Sequence, residues 1–168
     1  MEIQLICIGK TDDPDLQKLI SNYENRLKHY IKFTLLVIPD IKDAKNLSKE
    51  QQKTKEGELI ENQIRISDVV LLDENGKEFS SIGFSEYLNT KMSTGCKRLI
   101  YIIGGPYGFS KTLHQKYKGK ISLSQMTFSH QMIRLFLLNN FIEPTQFLKT
   151  NLTTTVKKKL HETCICNA

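Results

Sequence analysis

The chain reads Leu99-Ile100-Tyr101-Ile102-Ile103-Gly104-Gly105-Pro106-Tyr107-Gly108-Phe109-Ser110 where an apolar strand runs into a glycine-rich loop. Glycine has no Cβ, so Gly104, Gly105 and Gly108 permit positive φ angles and bring main-chain N–H and C=O groups close to a ligand. Pro106 stiffens the turn, and Ser110 is a predicted cap for a following helix. The stretch therefore predicts a buried strand that ends in a ligand-binding loop.

Apolar runs alternate with helical segments along the rest of the chain. The predicted strands are 3–8, 33–38, 68–72 and 98–103, with an extended segment over 120–125, and the predicted helices are 15–30, 48–66, 81–92, 110–117 and 130–142. Strands that are buried on both faces read as continuous apolar runs. The pattern predicts an α/β fold with a mainly parallel sheet between helices.

The chain length and the net charge narrow the class of protein. A chain of 168 residues with 39% apolar content is long enough for one domain with its own core. The net charge of +6 favours a polyanionic partner such as nucleic acid without identifying one. Residues 137–168 carry four lysines against two glutamates, so the charge argument is weaker for the body of the chain.

The amino terminus and the cysteines exclude several classes. Residues 1–9 lack a basic segment, and their apolar run is shorter than the ~18 residues of a spanning helix, which predicts a cytoplasmic protein without a membrane partner. The four cysteines, at positions 7, 96, 164 and 166, form no Cys-x-x-Cys pair. With four histidines and no ligand cluster, we expect free thiols and no metal.

Three loops are predicted at the carboxyl ends of the strands, where open α/β sheets bind ligands: 72–76, 104–108 and 123–128. The first strand is not followed by Gly-x-Gly-x-x-Gly, and the chain contains neither a P-loop nor a Gly-x-Ser-x-Gly elbow. These absences disfavour a dinucleotide-binding protein of the Rossmann type, a P-loop nucleotidase and a serine hydrolase.

Four segments together resemble one family. They are Lys55-Glu56-Gly57, the 72–76 loop, the Ile-Gly-Gly loop and Ser124-Gln125-Met126-Thr127-Phe128-Ser129-His130-Gln131-Met132-Ile133-Arg134-Leu135. Over residues 1–136 the chain resembles the RlmH family, the SPOUT-class methyltransferases of pseudouridine in 23S ribosomal RNA. The resemblance implies a carboxy-terminal trefoil knot, S-adenosyl-L-methionine as cofactor, methyl transfer to N3 of the base, and a homodimer that builds the site from both chains.

The resemblance also implies which residues enclose the cofactor. The matching positions are Leu72, Gly104, Leu123, Ser124, Gln125, Met126, Thr127 and Phe128. Adenine and a methionine side chain offer apolar faces with a few donors and acceptors, which suits apolar side chains around exposed peptide groups. The sulfonium methyl is already activated, so the protein mainly has to align sulfur, methyl and nitrogen.

On the substrate side, His130 is the candidate base because N3–H must lose its proton. Arg134 lies one helical turn later on the same face and could hold a phosphate or an enolate-like oxygen. The residues alone leave a plainer alternative, in which His130 hydrogen-bonds at a helix start and Arg134 pairs with a carboxylate. Tyr107 could stack on a base or pack on its own protein. The lysines that could contact phosphates or simply face solvent are Lys10, Lys28, Lys111, Lys116, Lys118 and Lys120.

The resemblance stops after Phe136, where the family continues with a Glu-Gln-Leu-Tyr-Arg-Ala type helix and a final Pro-Tyr-His. Codons chosen for residues 136–154, reread after one T is restored at Phe136, can spell that ending. We therefore hypothesise that residues 137–168 are a frameshifted tail that packs poorly, leaves the knot incomplete and lowers turnover, beside a methyltransferase domain over 1–136.

Two other functions fit the same residues. One is a catalytically inactive ribosome-binding or RNA-binding domain that keeps the fold, and the other is a methyltransferase of this fold that acts on a tRNA or a protein. A pure RNA-binding module should not bind S-adenosylmethionine, so calorimetry with that compound separates the first from an enzyme.

Overall fold

Strands and helices alternate along the part of the chain that this computed structural model describes, namely residues 1–42, 44–64, 67–142 and 144. The strands are β1 (Glu2–Ile8), β2 (Lys32–Ile38), β3 (Asp68–Glu78), β4 (Arg98–Ile103) and β5 (Gly119–Ser122). The α-helices are α1 (Pro14–Lys28), α2 (Lys49–Glu61), α3 (Ser81–Ser93), α4 (Lys111–Lys116) and α5 (132–142). A short 3-10 helix, Ala44–Asn46, precedes α2.

The strands form one sheet in the order β2-β1-β4-β3-β5, and every neighbouring pair is parallel. Ile3 pairs with Phe33 on one side and with Leu99 on the other, while Val70 pairs with Tyr101. β4 lies at the centre, and its residues 99–103 are buried, as a continuous apolar run requires. The predicted parallel α/β sheet is confirmed.

The side chains of the strands point alternately to two faces, and each face carries its own core. Leu5 and Tyr101 pack with buried residues of α1, α3 and α5, whereas Ile6 and Ile102 pack with Ile60 of α2 and with Leu113 of α4. The sheet therefore lies between two helical layers, with the carboxyl ends of its strands all at one edge. None of the described helices is long and apolar enough to cross a bilayer.

Polar side chains define the helix starts. Asp13 accepts a hydrogen bond from the Leu16 N–H, and Pro14 takes the first position of α1. Ser48 and Gln51 form a reciprocal capping box at α2. Ser110 caps α4, as predicted, by accepting from the Leu113 N–H at 3.3 Å.

Two predicted elements differ from those observed. The helix predicted to reach residue 66 ends at Glu61, because the next amides, those of Gln63 and Ile64, turn to the nearer Ile60 and Glu61 carbonyls, three residues back. The strand predicted over 68–72 continues to Glu78, because β3 leaves β5 after Leu72 and pairs with it again at Lys77. Residues 73–76 are therefore an excursion within one strand.

The start of the tail contradicts the expectation that everything after Phe136 packs poorly. Leu137, Leu138, Phe141 and Ile142 are all buried in the same core as α1 and α3. Their spacing keeps one apolar face of α5 directed at the sheet, and the Phe141 ring lies 4.8 Å from that of Tyr101. Residues 145–168 lie outside the described residues, so the frameshifted tail and the trefoil knot stay predictions.

Candidate functional site

A cavity of ≈ 450 Å³ opens at the carboxyl ends of β3, β4 and β5. The 73–75 excursion within β3 and the loops after β4 and β5, 104–109 and 123–128, form most of its wall, and Ile133 of α5 contributes from the side. The three predicted loops thus meet at one place. This is the edge at which open parallel sheets bind small molecules.

Most of the residues that the resemblance predicts as cofactor contacts line this cavity. They are Leu72, Gly104, Leu123, Ser124, Met126, Thr127 and Phe128. Gln125 lies apart from them and lines a neighbouring depression with Glu74, Asn75, Gly76 and Glu78. The turn around it is held by the Met126 N–H, which donates to Ser124 Oγ at 2.9 Å.

The glycine loop is folded tightly on itself. The Gly108 N–H donates to the Gly105 carbonyl at 3.0 Å, and Gly108 has a φ of +75°, a conformation that favours glycine. A Cβ on Gly104 would lie 3.2 Å from the buried Phe109 ring. Glycine at these positions therefore keeps the main chain, rather than side chains, against the cavity.

The wall made by β3 is shaped by two contacts. Asp73 Oδ1 accepts from the Asn75 N–H at 2.9 Å, which turns the chain at the start of the 73–76 excursion. At its end, a Cβ on Gly76 would lie 2.5 Å from the Ile121 carbonyl carbon, so only glycine fits against β5. Backbone geometry thus fixes this side of the cavity.

Sequence reasoning missed a polar pair in the cavity wall. His114 Nε2 lies 3.5 Å from Asp73 Oδ2, and both residues line the cavity. Asp73 belongs to a loop that the sequence singles out, whereas His114 is a single histidine on a short helix with no accompanying motif. Only the pairing of β3 with β5 brings the two segments together.

The two predicted substrate-side residues, His130 and Arg134, do not line the cavity. Arg134 is only 1% exposed, and its guanidinium donates to the Ile8 carbonyl, the Thr11 hydroxyl and the His130 carbonyl at 2.7, 2.9 and 3.1 Å. These contacts hold the end of β1 against α5. They are neither the carboxylate pair of the plainer alternative nor a free phosphate site.

His130 is half-buried beside this network. Burial lowers the pKa of its imidazole below the usual 6.5, the charge of Arg134 lowers it further, and Asp40 and Asp12 act in the opposite direction. The surroundings of His130 therefore favour its neutral form over the charged one.

A basic and aromatic rim borders the cavity. Lys53 and Tyr107 line the cavity, the Tyr107 ring is 44% exposed, and the Lys49 ammonium lies 5.4 Å from its centre. Lys53 is ion-paired with Glu50 on the same helix at 2.9 Å. Among the predicted phosphate contacts, Lys28 and Lys116 likewise form surface ion pairs with Glu24 and Glu61. Within the described ranges, no three potential metal ligands cluster together.

Comparison with known proteins agrees with this geometry. The model of the family described as predicted SPOUT methyltransferase matches residues 1–141, which extends past Phe136. The chain with this parallel α/β sheet is therefore a methyltransferase of the SPOUT class.

Individual relatives narrow the assignment. The protein named ribosomal RNA large subunit methyltransferase H of Christiangramia forsetii is 57% identical over 150 residues, which cover 89% of this chain and 96% of that protein. Its namesake in Flavobacterium johnsoniae is 61% identical over 139 residues, covering 82% of this chain and 88% of the relative. The chain belongs to the RlmH family of SPOUT methyltransferases.

Proposed function

We propose that this protein transfers a methyl group from S-adenosylmethionine to the RNA of the large ribosomal subunit, at N3 of a pseudouridine in 23S RNA. The observation that carries the proposal is the cavity at the ends of β3, β4 and β5, built from the loops that match the family's cofactor contacts. The names of the relatives support ribosomal RNA as the substrate. A ribosomal substrate also implies that the protein works in the cytoplasm.

The residues of the cavity fit S-adenosylmethionine. A volume of ≈ 450 Å³ is in the range of sites for ligands of this size. Leu72, Leu123 and Ile133 offer apolar contacts to an adenine or a methionine side chain, and the 104–108 loop presents main-chain donors and acceptors. Asp73 and Glu74 supply carboxylates to a cationic ligand in the same wall.

When bound, S-adenosylmethionine supplies an activated methyl group, and the chain's own task is alignment and removal of one proton. The glycine loop and the 123–128 loop are the segments that would hold the donor. His130 is the candidate acceptor of the N3 proton because an imidazole can take up a proton near neutral pH. Since His130 lies outside the cavity of its own chain, this role requires a site that includes a second copy of the protein.

An exposed apolar stripe supports such a homodimer. Phe128, Met132 and Phe136 recur at intervals of four residues and are all exposed, with the Phe128 and Phe136 rings 5.0 Å apart. Met126, which is 75% exposed, extends the stripe to the edge of the cavity. Contiguous exposed apolar surface of this kind marks interfaces, and a partner seated on it would close the cavity.

The rim formed by Lys49, Lys53 and Tyr107 supports RNA as the substrate. Lysines at the mouth of the cavity can contact phosphates, and an exposed tyrosine can stack on an unpaired base. The position of this rim beside the proposed donor site favours an enzyme over a domain that only binds RNA.

The test combines ligand binding with methyl transfer. Calorimetry of the protein with S-adenosylmethionine should show a saturable site, and tritiated donor should label 23S RNA in ribosomes that lack the modification. Nuclease digestion and mass spectrometry of the RNA should then place the label on N3 of a pseudouridine. Ribosome binding without donor binding would instead favour the catalytically inactive RNA-binding domain. Label in tRNA or in protein would show that the substrate is not 23S RNA.

A further inference from the structure

Glu56 of α2 is a buried carboxyl group that the proposed reaction leaves without a role. Glu56 is 3% exposed and does not line the cavity. Oε1 accepts a hydrogen bond from Gln52 Nε2 at 2.8 Å, one helical turn earlier. Oε2 is buried without a hydrogen bond of good geometry among the described residues, and the backbone of Gly105 is the polar group that interacts with the carboxyl group on this side.

This carboxyl group lies directly against the glycine loop. A Cβ on Gly105 would stand 2.5 Å from Glu56 Oε2, 2.7 Å from Oε1 and 2.8 Å from the carboxyl carbon, all closer than real Cβ contacts. The Gly105 position must therefore be glycine while Glu56 occupies this place. Gly105 in turn accepts the hydrogen bond from the Gly108 N–H that closes the loop.

The next residue of α2 fixes the other end of the same loop. A Cβ on Gly57 would lie 3.1 Å from Ser110 Oγ and 3.4 Å from Leu113, so α2 packs closely against the start of α4. Ser110 Oγ caps α4 by accepting from the Leu113 N–H. Adjacent residues of one helix thus contact both Gly105 and Ser110.

Burial of the Glu56 carboxyl group is electrostatically unfavourable. Burial raises the pKa of Glu56 and the nearby Asp40 adds to the rise, while the hydrogen bond from Gln52 and the backbone of Gly105 lower it. No cation pairs with the carboxyl group among the described residues. An apolar side chain would pack here without that desolvation cost.

We infer that Glu56 is a positioning residue, whose carboxyl group holds the 104–110 loop in the shape that binds the methyl donor. The inference rests on the proposed S-adenosylmethionine site for its ligand, but the hold on the loop is a property of the ligand-free protein. Glu56 acts through Gly105 and touches no reacting atom.

The first measurement needs no ligand. In Glu56→Ala, amide hydrogen exchange at residues 104–109 should accelerate about tenfold relative to the unaltered protein, because the loop loses its support. Exchange in β1 should stay unchanged. Glu58→Ala, an exposed glutamate on the same helix, is the matched control and should alter neither segment.

The second measurement is the dissociation constant for S-adenosylmethionine by calorimetry, at a temperature where circular dichroism shows each variant folded. Glu56→Ala should weaken binding about tenfold, since a small misplacement of a binding loop has effects of this order. Glu56→Gln keeps the shape and one acceptor, so it should restore affinity to within about threefold.

A double-mutant cycle tests the contact itself. Gly105→Ala should weaken binding strongly in the unaltered protein, where its methyl group collides with the carboxyl group, and only slightly in the Glu56→Ala background, where space is free. Additive effects, or normal loop exchange in Glu56→Ala, would overturn the inference. If the unaltered protein bound no S-adenosylmethionine, the proposed function would fail, while the exchange measurement would still decide the role of Glu56.

Discussion

Arg134 shows how one buried side chain joins distant parts of this fold. Its three hydrogen bonds link the carboxyl end of β1, the segment after it and the start of α5. The spacing of His130 and Arg134 at i and i+4 predicts one helical face, but His130 lies before α5, and Arg134 donates to its backbone carbonyl. The spacing also carries no information about burial. The Ile8 carbonyl that accepts from Arg134 lies 126 positions away along the chain.

Truncation of this side chain should destabilise the protein. Arg134→Ala is expected to lower the free energy of unfolding by about 3 kcal/mol, since it leaves the buried Ile8 carbonyl unpaired and removes two further charged hydrogen bonds. Urea denaturation measures the loss, with the exposed Lys18→Ala as control. A substrate-binding arginine would behave differently, because its removal would lower turnover and leave stability unchanged.

His130 gives the protein a pH dependence of defined sign. Its pKa is lower in the folded chain than the usual 6.5, so the unfolded chain takes up a proton first as the pH falls. Stability should therefore be full above about pH 6.5, decline below it and level off under the folded-state pKa.

The contribution of His130 is isolated by His130→Asn, which should flatten the decline between about pH 7.5 and pH 5.5 in urea denaturation. Equal slopes for the two proteins would contradict the assignment. The same variant in the methyl-transfer assay tests the proposed proton acceptor independently of stability.

At the scale of elements, the sequence predicts the parts that depend on apolar pattern and misses those that depend on long-range pairing. β4 begins and ends where its continuous apolar run predicts, because a central parallel strand needs exactly such a run on both faces. The excursion within β3 was not predicted, since it exists only because Lys77 and Leu72 both pair with Ile121 of β5.

The same limit applies to the candidate site. The loops that line the cavity could be predicted because glycine spacing and strand ends are local signals, and the family resemblance supplied their residues. The contact of Glu56 with the glycine loop could not be predicted, because α2 and that loop are about 50 positions apart in the chain. Glu56 stands in the Lys55-Glu56-Gly57 segment that carries the resemblance, but the sequence gives no sign of what its carboxyl group contacts.

The packing of α5 leads to a direct test of its place in the core. Phe141 is fully buried, and its ring contacts those of Tyr101, Phe84 and Phe33. Phe141→Ala should lower the free energy of unfolding by about 3–5 kcal/mol, the usual cost of emptying a buried phenylalanine site.

Asn139→Ala on the exposed face of α5 is the matched control and should cost less than about 0.5 kcal/mol. Similar values for the two substitutions in urea denaturation would mean that α5 contributes little to the core.

At the scale of the whole molecule, the apolar stripe predicts the state of assembly. Met132→Asp places a charge in the middle of the stripe and should convert a dimer to a monomer in sedimentation velocity, because an unpaired charge in an interface is strongly unfavourable. Ile82→Asp, an exposed apolar residue on α3, serves as control and should leave the dimer intact. If the unaltered protein sediments as a monomer, the proposed homodimer is wrong.

The tail yields a second prediction at this scale. If a one-base deletion near Phe136 created residues 137–168, a frame-corrected protein should methylate ribosomes faster than this chain, since the family's ending would complete the knot and the site. Both proteins should bind the methyl donor, because every residue that lines the cavity precedes Phe136. The helix that contributes Ile133 to the cavity, α5, already packs into the core of this chain. Equal transfer rates, or a gene sequence across Phe136 that cannot encode the family ending, would contradict the hypothesis.

The strand order also has a consequence for how the polypeptide acquires its shape during synthesis. β1 and β2 can pair early, yet β4 must enter between β1 and β3, so the middle of the sheet stays open until more than half of the chain has been made. Both flanking strands then present unpaired backbone and apolar surface, a state prone to aggregation. Nascent chains halted before residue 98 should therefore need a chaperone that full-length molecules can do without.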